Sequence, residues 1–421
     1  MGRPVNVTPD DATPNDATGS TATPTDPTPH DTTPHDTAPH DATPNDTAPN
    51  DTAHNDVTPV DVSTAPATTL AEHIASAEVL VCCGSGGVGK TTSAAALGLQ
   101  AALLGRRAVV VTIDPAKRLA DALGVPGGLG NEPTKLDVPG SGELWALMLD
   151  TATTFDGLVR ANAADPEQAE RILANGFYRN VAGSLSGTQE YMAAERLHAL
   201  HNDERFDLVI VDTPPTRNAL DFLDAPGTIT KFIDHPLFKL LMMPTRRGMK
   251  VLNIAAQPIL RTIGKVVGGD VLADAVAFFQ AFGGMETGFR QRADDVMTLL
   301  HSDVTRFVLV ASPRADTIEE ACYFANRLAA SDLEVAAVVV NRCTPTFGDP
   351  PARRPRTAAA AALYDNLVEL RTNAATERKQ AADLLVATGV PAGTHTTWVQ
   401  TLPGDVHTLE ALSTIRSILF D

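Results

Sequence analysis

Eight consecutive residues of this 421-residue chain carry its most explicit chemistry. Gly84, Ser85, Gly86, Gly87, Val88, Gly89, Lys90 and Thr91 match the spacing G-x-x-x-x-G-K-S/T. The apolar run VLVCC precedes them and the helical stretch KTTSAAALGLQAALLG follows. In that setting the glycines let backbone N–H groups converge on an anion, and the helix N-terminus adds its dipole. The lysine of such a loop reaches the β- and γ-phosphates, and the hydroxyl after it ligates Mg²⁺. Gly86, Gly87, Val88, Gly89, Lys90, Thr91 and Thr92 are therefore the expected contacts of a bound nucleotide, with ATP and Mg²⁺ as the ligands.

Two aspartates complete the chemistry. Asp114 ends the apolar run RAVVVTID, and Asp212 ends FDLVIVD. In an open α/β sheet, ligands bind at such carboxyl ends of strands. Asp212 is expected to hold the metal or its water, and Asp114 to position an attacking water. The competing reading of either residue is a helix cap. Lys90, Asp114 and Asp212 are thus the candidate catalytic residues, with Thr91 and Asp212 on the metal.

The elements that must place these groups are legible as continuous apolar runs. Besides the three already quoted they are LWALML (144–149), RFVLVAS (306–312), VAAVVVN (335–341) and TTWVQ (396–400), the last being the weakest. Apolar runs separated by helical stretches predict an α/β fold: a mostly parallel, twisted sheet with helices on both faces. Residues 151–205 and 220–301 interrupt the alternation. They are too long for loops and read as helical insertions forming a subdomain.

Composition divides the chain. Residues 8–62 repeat a five-residue unit, as in TPHDTTPHDTAPHD, and residues 1–66 hold eleven Asp against one Arg. Ten of the chain's eighteen net negative charges therefore sit in that segment. With almost nothing apolar to bury, residues 1–70 are expected to be a disordered acidic tail, and 71–421 the folded domain. Even without the tail the body is acidic, so nucleic acid is not an expected partner. Four cysteines, none in a C-x-x-C pair, suit a reducing compartment. No long apolar span is seen and the first residues lack the apolar core of a secretion signal, so the expected location is cytoplasmic, with peripheral membrane contact left open.

Three stretches at consistent spacing, GSGGVGKTT, TIDPAKRLADALG and VDTPPTRNALDFL, resemble the arsenite-pump and tail-anchored-protein-targeting ATPases, within the deviant Walker A class of P-loop proteins. The opening CCGSGGVGKTT is most similar to the actinobacterial anion-transporting branch. The first switch resembles D-P-A-x-x-L-x-D at Asp114, Pro115, Ala116, Leu119 and Asp121. The second resembles D-T-A-P-T-G at Asp212 to Arg217. VVVNRCTP resembles an adenine-binding strand end, implying Asn341 as the base-reading amide beside Arg342. QTLPGDVHTLEAL, with Pro403, resembles the loop that closes over the base. The resemblance implies a dimer with ATP between subunits and a helical surface whose shape follows the nucleotide.

Three positions depart from the family pattern. Ser85 stands where the class carries a lysine that reaches the partner's phosphates. Arg217 replaces a glycine, and Lys117 and Arg118 add charge to the first switch. Either one of these cations replaces the lysine in cis, or a lysine-bearing paralogue supplies it in a heterodimer; a homodimer remains the other arrangement. Alternative readings are a regulatory subunit that hydrolyses little, and a membrane-associated positioning ATPase of the partitioning type. Isolated cysteines do not suit arsenite, which needs several converging thiolates. The stretch 231–265 holds seven Lys/Arg against one Asp, which points to a hydrophobic client or an anionic membrane surface.

Overall fold

The computed structural model describes residues 68–421 except 115–117, 182–187, 215–220, 235, 237–267, 388 and 392. The tail, Lys117, Arg217 and most of the basic stretch 231–265 therefore lie outside the described residues.

Eight strands form one sheet in the order β3-β4-β2-β5-β1-β6-β7-β8. They are β1 (Val79–Gly84), β2 (Arg107–Thr112), β3 (Thr134–Leu136), β4 (Glu143–Met148), β5 (Leu208–Asp212), β6 (Thr305–Ala311), β7 (Val335–Cys343) and β8 (His395–Gln400). All pairings are parallel except β3 with β4. The seven expected strands are present, TTWVQ among them. β3 was not legible: its three residues TKL are half-exposed on the antiparallel edge and leave no apolar run.

The pleat explains why the central runs are apolar throughout. Along β1, Val79, Val81 and Cys83 enter one core, while Leu80 and Cys82 enter the other. A strand buried on both faces has no polar side to alternate. Helices α1 (Leu70–Ser76), α2 (Lys90–Leu103), α3 (Arg118–Ala122) and the C-terminal Leu409–Phe420 cover the second face. Helix Ala315–Ala329 and part of helix Ala358–Ala387 cover the first. Each fully buried Val or Leu contributes roughly 1.5–3 kcal/mol relative to exposure. That makes the central strands a rigid base for the loops at their carboxyl ends.

The described residues of both stretches read as insertions are mostly helical. The first holds α4 (Thr151–Asn162), α5 (Pro166–Leu173), α6 (Gly176–Val181) and α7 (Thr188–His201). Asp150 and Asp165 cap the first two, accepting from Thr153 and Gln168 backbone N–H groups at 2.6 and 2.7 Å. The second holds α8 (Asp221–Asp234), then Gly269–Phe282 and Glu286–Leu300, here α9 and α10. The two stretches share a third core, rich in rings: Tyr178, Tyr191, Phe278, Phe282 and Phe289. Helix α7 joins the layers. Its Tyr191 and Met192 enter the aromatic core, and its Ala194 and Leu197 enter the sheet core. Among the described residues no helix is long and apolar enough to cross a membrane.

A charged group sits inside this helical layer. Glu195 on α7 accepts from the Tyr191 hydroxyl at 2.9 Å and from Arg292 of α10 at 3.2 Å. Its side chain is 3% exposed, and burial raises its pKa despite both donors. Arg292→Met leaves that carboxylate without its cation. We expect a loss of about 2 kcal/mol near neutral pH, below the range for a fully buried pair because Arg292 is 32% exposed. The sign of the pH effect follows from the raised pKa. Stability present below the ordinary glutamate value of 4.5 is lost as pH rises through the folded value, so acidification shrinks the defect. Thermal melts at pH 5 and pH 7.5 check this; an equal drop in Tm at both contradicts it.

Candidate nucleotide site

The phosphate loop follows β1, at the centre of the sheet. Two glycines are required there by contact as well as by φ. Gly84 has φ +152°, and a Cβ on it would lie 2.0 Å from the Val310 carbonyl oxygen of β6. Gly89 has φ +98°, and its Cβ would lie 2.2 Å from Asn341 Nδ2. Gly89 is also the N-cap of α2 and offers no side chain to the first turn. The first-turn N–H groups of α2 are thereby left for an anion.

Lys90 opens α2 and is buried. Its Nζ donates to the carbonyls of Gly84 and Ser85, at 2.9 and 2.8 Å. Burial lowers its pKa, while Asp212, Cys83 and Asp114 act in the opposite direction. The loop's own carbonyls thus hold the ammonium at the foot of the cradle.

Asp212 ends β5 directly beneath. One of its oxygens, Oδ2, accepts from Thr91 Oγ1 at 2.8 Å and from Thr112 Oγ1 at 2.9 Å. The other, Oδ1, is buried and has no hydrogen-bond partner among the described residues. Desolvation raises this carboxyl to about 6, against the pull of the two hydroxyls and Lys90. A buried oxygen without a donor is costly unless something absent from a bare chain satisfies it. A hard divalent cation, or water on one, fits a carboxylate and a threonine hydroxyl placed together. The chemistry of this donor set therefore suits Mg²⁺.

Asp114 lies two residues past the end of β2, not at it. The strand stops at Thr112, whose hydroxyl accepts from the Asp114 N–H at 3.3 Å. Asp114 is 13% exposed, and Arg118 Nη1, on the first residue of α3, lies 3.6 Å from its Oδ2. Thr213 anchors the start of the second switch, donating to the Cys82 carbonyl at 2.7 Å.

These groups surround a cleft of about 380 Å³. Gly87, Gly89, Lys90, Thr91, Thr92 and Asp114 line it from the loop side, as expected, and Arg342 lines it from the end of β7. Asp212 is fully buried and off the wall, and reaches it by the hydrogen bond that it accepts from Thr91. Gly86 is exposed on the loop, and Val88 points into the core. Neither lines the cleft.

Two base-end expectations look different in three dimensions. Asn341 Nδ2 donates to the Val88 carbonyl at 2.9 Å, and its Oδ1 accepts from the Arg342 N–H at 2.8 Å. Its amide braces the phosphate loop from β7 and is not on the cleft wall. Pro403 is also off the wall. The wall there is formed by Asp405, Val406 and His407 of the same QTLPGDVHTLEAL stretch, in which Pro403 alone had been singled out as a contact. Arg118, Asp121 and Thr213, quoted within the switch motifs without an assigned contact, also face the cleft. A larger cleft of about 560 Å³ opens at the opposite ends of the strands, around Arg306 and His395, away from the loop.

Ser85 is 4% exposed and its hydroxyl is buried without a hydrogen-bond partner among the described residues. Its side chain faces inward, so this position presents no group to a neighbouring subunit. All four cysteines are buried, and burial raises the Cys83 thiol to about 12. These are packed thiols, not thiolates ready for a soft ion.

Comparison with known proteins agrees with the site. The sequence model of the anion-transporting ATPase family matches residues 77–355. The ATPase GET3 of Eremothecium gossypii is 27% identical over 270 residues, covering 62% of this chain and 70% of that protein. The ATPase get3 of Schizosaccharomyces pombe is 28% identical over 260 residues, covering 62% and 71%. The family match takes in the phosphate loop, both switch aspartates and the strand that carries Asn341, and the chain belongs to the anion-transporting ATPase family.

Proposed function

We propose that this chain is a Mg²⁺-dependent ATPase that works as a dimer and couples hydrolysis to a change in its helical layer. The observation that carries the reading is the Thr91–Asp212–Thr112 cluster, with one carboxylate oxygen shared by two hydroxyls and the other buried and unpartnered. Mg²⁺ would be held by Thr91 and, through Asp212, by its water, and would supply positive charge to the phosphates. The chain's residues do the rest. First-turn N–H groups of α2 and Lys90 hold the phosphates, and binding moves the ammonium from its own loop carbonyls to phosphate oxygens. Asp114 orients water toward the γ-phosphorus. Asn341 keeps the loop from opening toward β7.

The helical layer is the proposed point of contact with a client, since it packs on the sheet through α7, directly after which β5 leads to Asp212. The basic stretch 231–265 enters the same reading as a surface for an apolar client or anionic lipid. Ser85 sends no charge outward, so the added cation comes from this chain's own switch or from a lysine-bearing partner.

The test uses the purified full chain with labelled ATP, with Mg²⁺ and with excess chelator, and sedimentation in ADP and in a non-hydrolysable ATP analogue. We expect metal-dependent phosphate release and a larger dimer fraction with the analogue. Failure to bind either nucleotide overturns the reading.

A further inference from the structure

We propose that Arg118 is the catalytic cation that this chain supplies in cis to the γ-phosphate. This rests on the ATPase reading above and deepens it.

The first observation is the supply of charge around the cleft. Among the described residues, Lys90, Arg118 and Arg342 bring cations to its wall. Lys90 is rooted in the loop. Arg342 belongs to β7, on one side of β1, at a left-handed φ of 61° beside the Asn341 brace. Arg118 stands on the other side, with β2 and Asp114. Among the described residues it is the cation placed beside the carboxylate assigned to the attacking water. That is where phosphoryl transfer spreads charge over the equatorial oxygens.

The second observation is how lightly Arg118 is held. Its guanidinium is 3.6 Å from Asp114 Oδ2, beyond hydrogen-bonding distance, and its side chain is 58% exposed. An i,i+4 pair of this kind shifts a population by only about twofold. Exchanging that partner for the oxygens of a doubly charged terminal phosphoryl group costs little, and the planar fork of arginine matches them. The third observation is Ser85, which is buried, inward-facing and neutral. The loop therefore offers no further cation at its second position.

The water oxygen forms a bond to the γ-phosphorus as the bond to the β–γ bridging oxygen breaks. The electron pair of the broken bond leaves on ADP. One water proton stays on the phosphate product and the other is released. Arg118 changes no bond; it donates hydrogen bonds to γ-oxygens while Asp114 accepts from the water.

Arg118→Ala and Arg118→Lys in the full chain test this with two readouts. One is single-turnover hydrolysis. The other is retention of labelled ADP with Mg²⁺ and aluminium fluoride, which mimics the transferring phosphoryl, against ADP alone. We expect Arg118→Ala to slow hydrolysis about 10³-fold. It should bind ADP within about twofold of wild type and lose the extra retention that aluminium fluoride gives. Arg118→Lys, which keeps the charge without the fork, should fall between. Undiminished aluminium-fluoride retention by Arg118→Ala, with wild type behaving normally, overturns the assignment to Arg118 alone. If wild type neither retains the complex nor turns over ATP, the ATPase reading fails and Arg118's role with it.

Discussion

Asp114→Asn is expected to leave ATP bound and almost unhydrolysed. The substitution keeps the shape of the side chain and its place after Thr112. It removes the charge that accepts from water and replaces one acceptor oxygen with a donor. A positioned base or water-orienting group contributes about 10²- to 10⁴-fold, so the single-turnover rate should fall by roughly that factor. Binding should hardly change, because Lys90, the loop N–H groups and the Thr91–Asp212 pair are untouched. The measurement is a chemical-quench time course beside a titration with fluorescent ATP analogue. Equal loss of affinity and rate would contradict the role, showing that Asp114 holds the nucleotide rather than the water.

Lys90→Met should have the opposite profile. The ammonium is buried and donates to two loop carbonyls. With ATP it donates instead to phosphates, and a charge-assisted hydrogen bond to a charged acceptor is worth about 1.5–3 kcal/mol. Losing it should weaken ATP binding by roughly ten- to a hundredfold, and the charge shielding needed in transfer goes with it. Stability should change less. The variant leaves two carbonyls short of a donor, yet it also removes a cation whose burial lowers its pKa. A calorimetric titration and a melting curve on one sample separate these effects. Unchanged affinity would show that the loop binds phosphate through its backbone alone.

What the sequence made legible follows from physical scale. The central strands were readable because a run buried on both faces leaves no polar position, as in VLVCC and LVIV. The phosphate loop was readable because few residue types permit Gly84 and Gly89 to approach Val310 and Asn341 so closely. Asp212 was readable because a charge ending an apolar strand has few structural uses. Four features were not. The edge strand β3 is too short and exposed to leave a pattern. Asn341 was read as facing the base; that its amide bonds the Val88 carbonyl is a contact between residues far apart in sequence that no local pattern encodes. Within the QTLPGDVHTLEAL loop, that Asp405, Val406 and His407 form the wall and Pro403 does not is set by chain path. Ser85 belongs with these: its identity was plain, and its inward orientation was not.

If the cleft of this chain is complete, a purified sample with no partner protein should convert bound ATP to ADP and phosphate in a single turnover. The measurement is chemical quench of γ-labelled ATP on excess chain with Mg²⁺. The predicted result is about one phosphate released per ATP bound, with the rate lost in Arg118→Ala. Recovery of the bound ATP intact, until a second chain carrying lysine at the position of Ser85 is added, would contradict it.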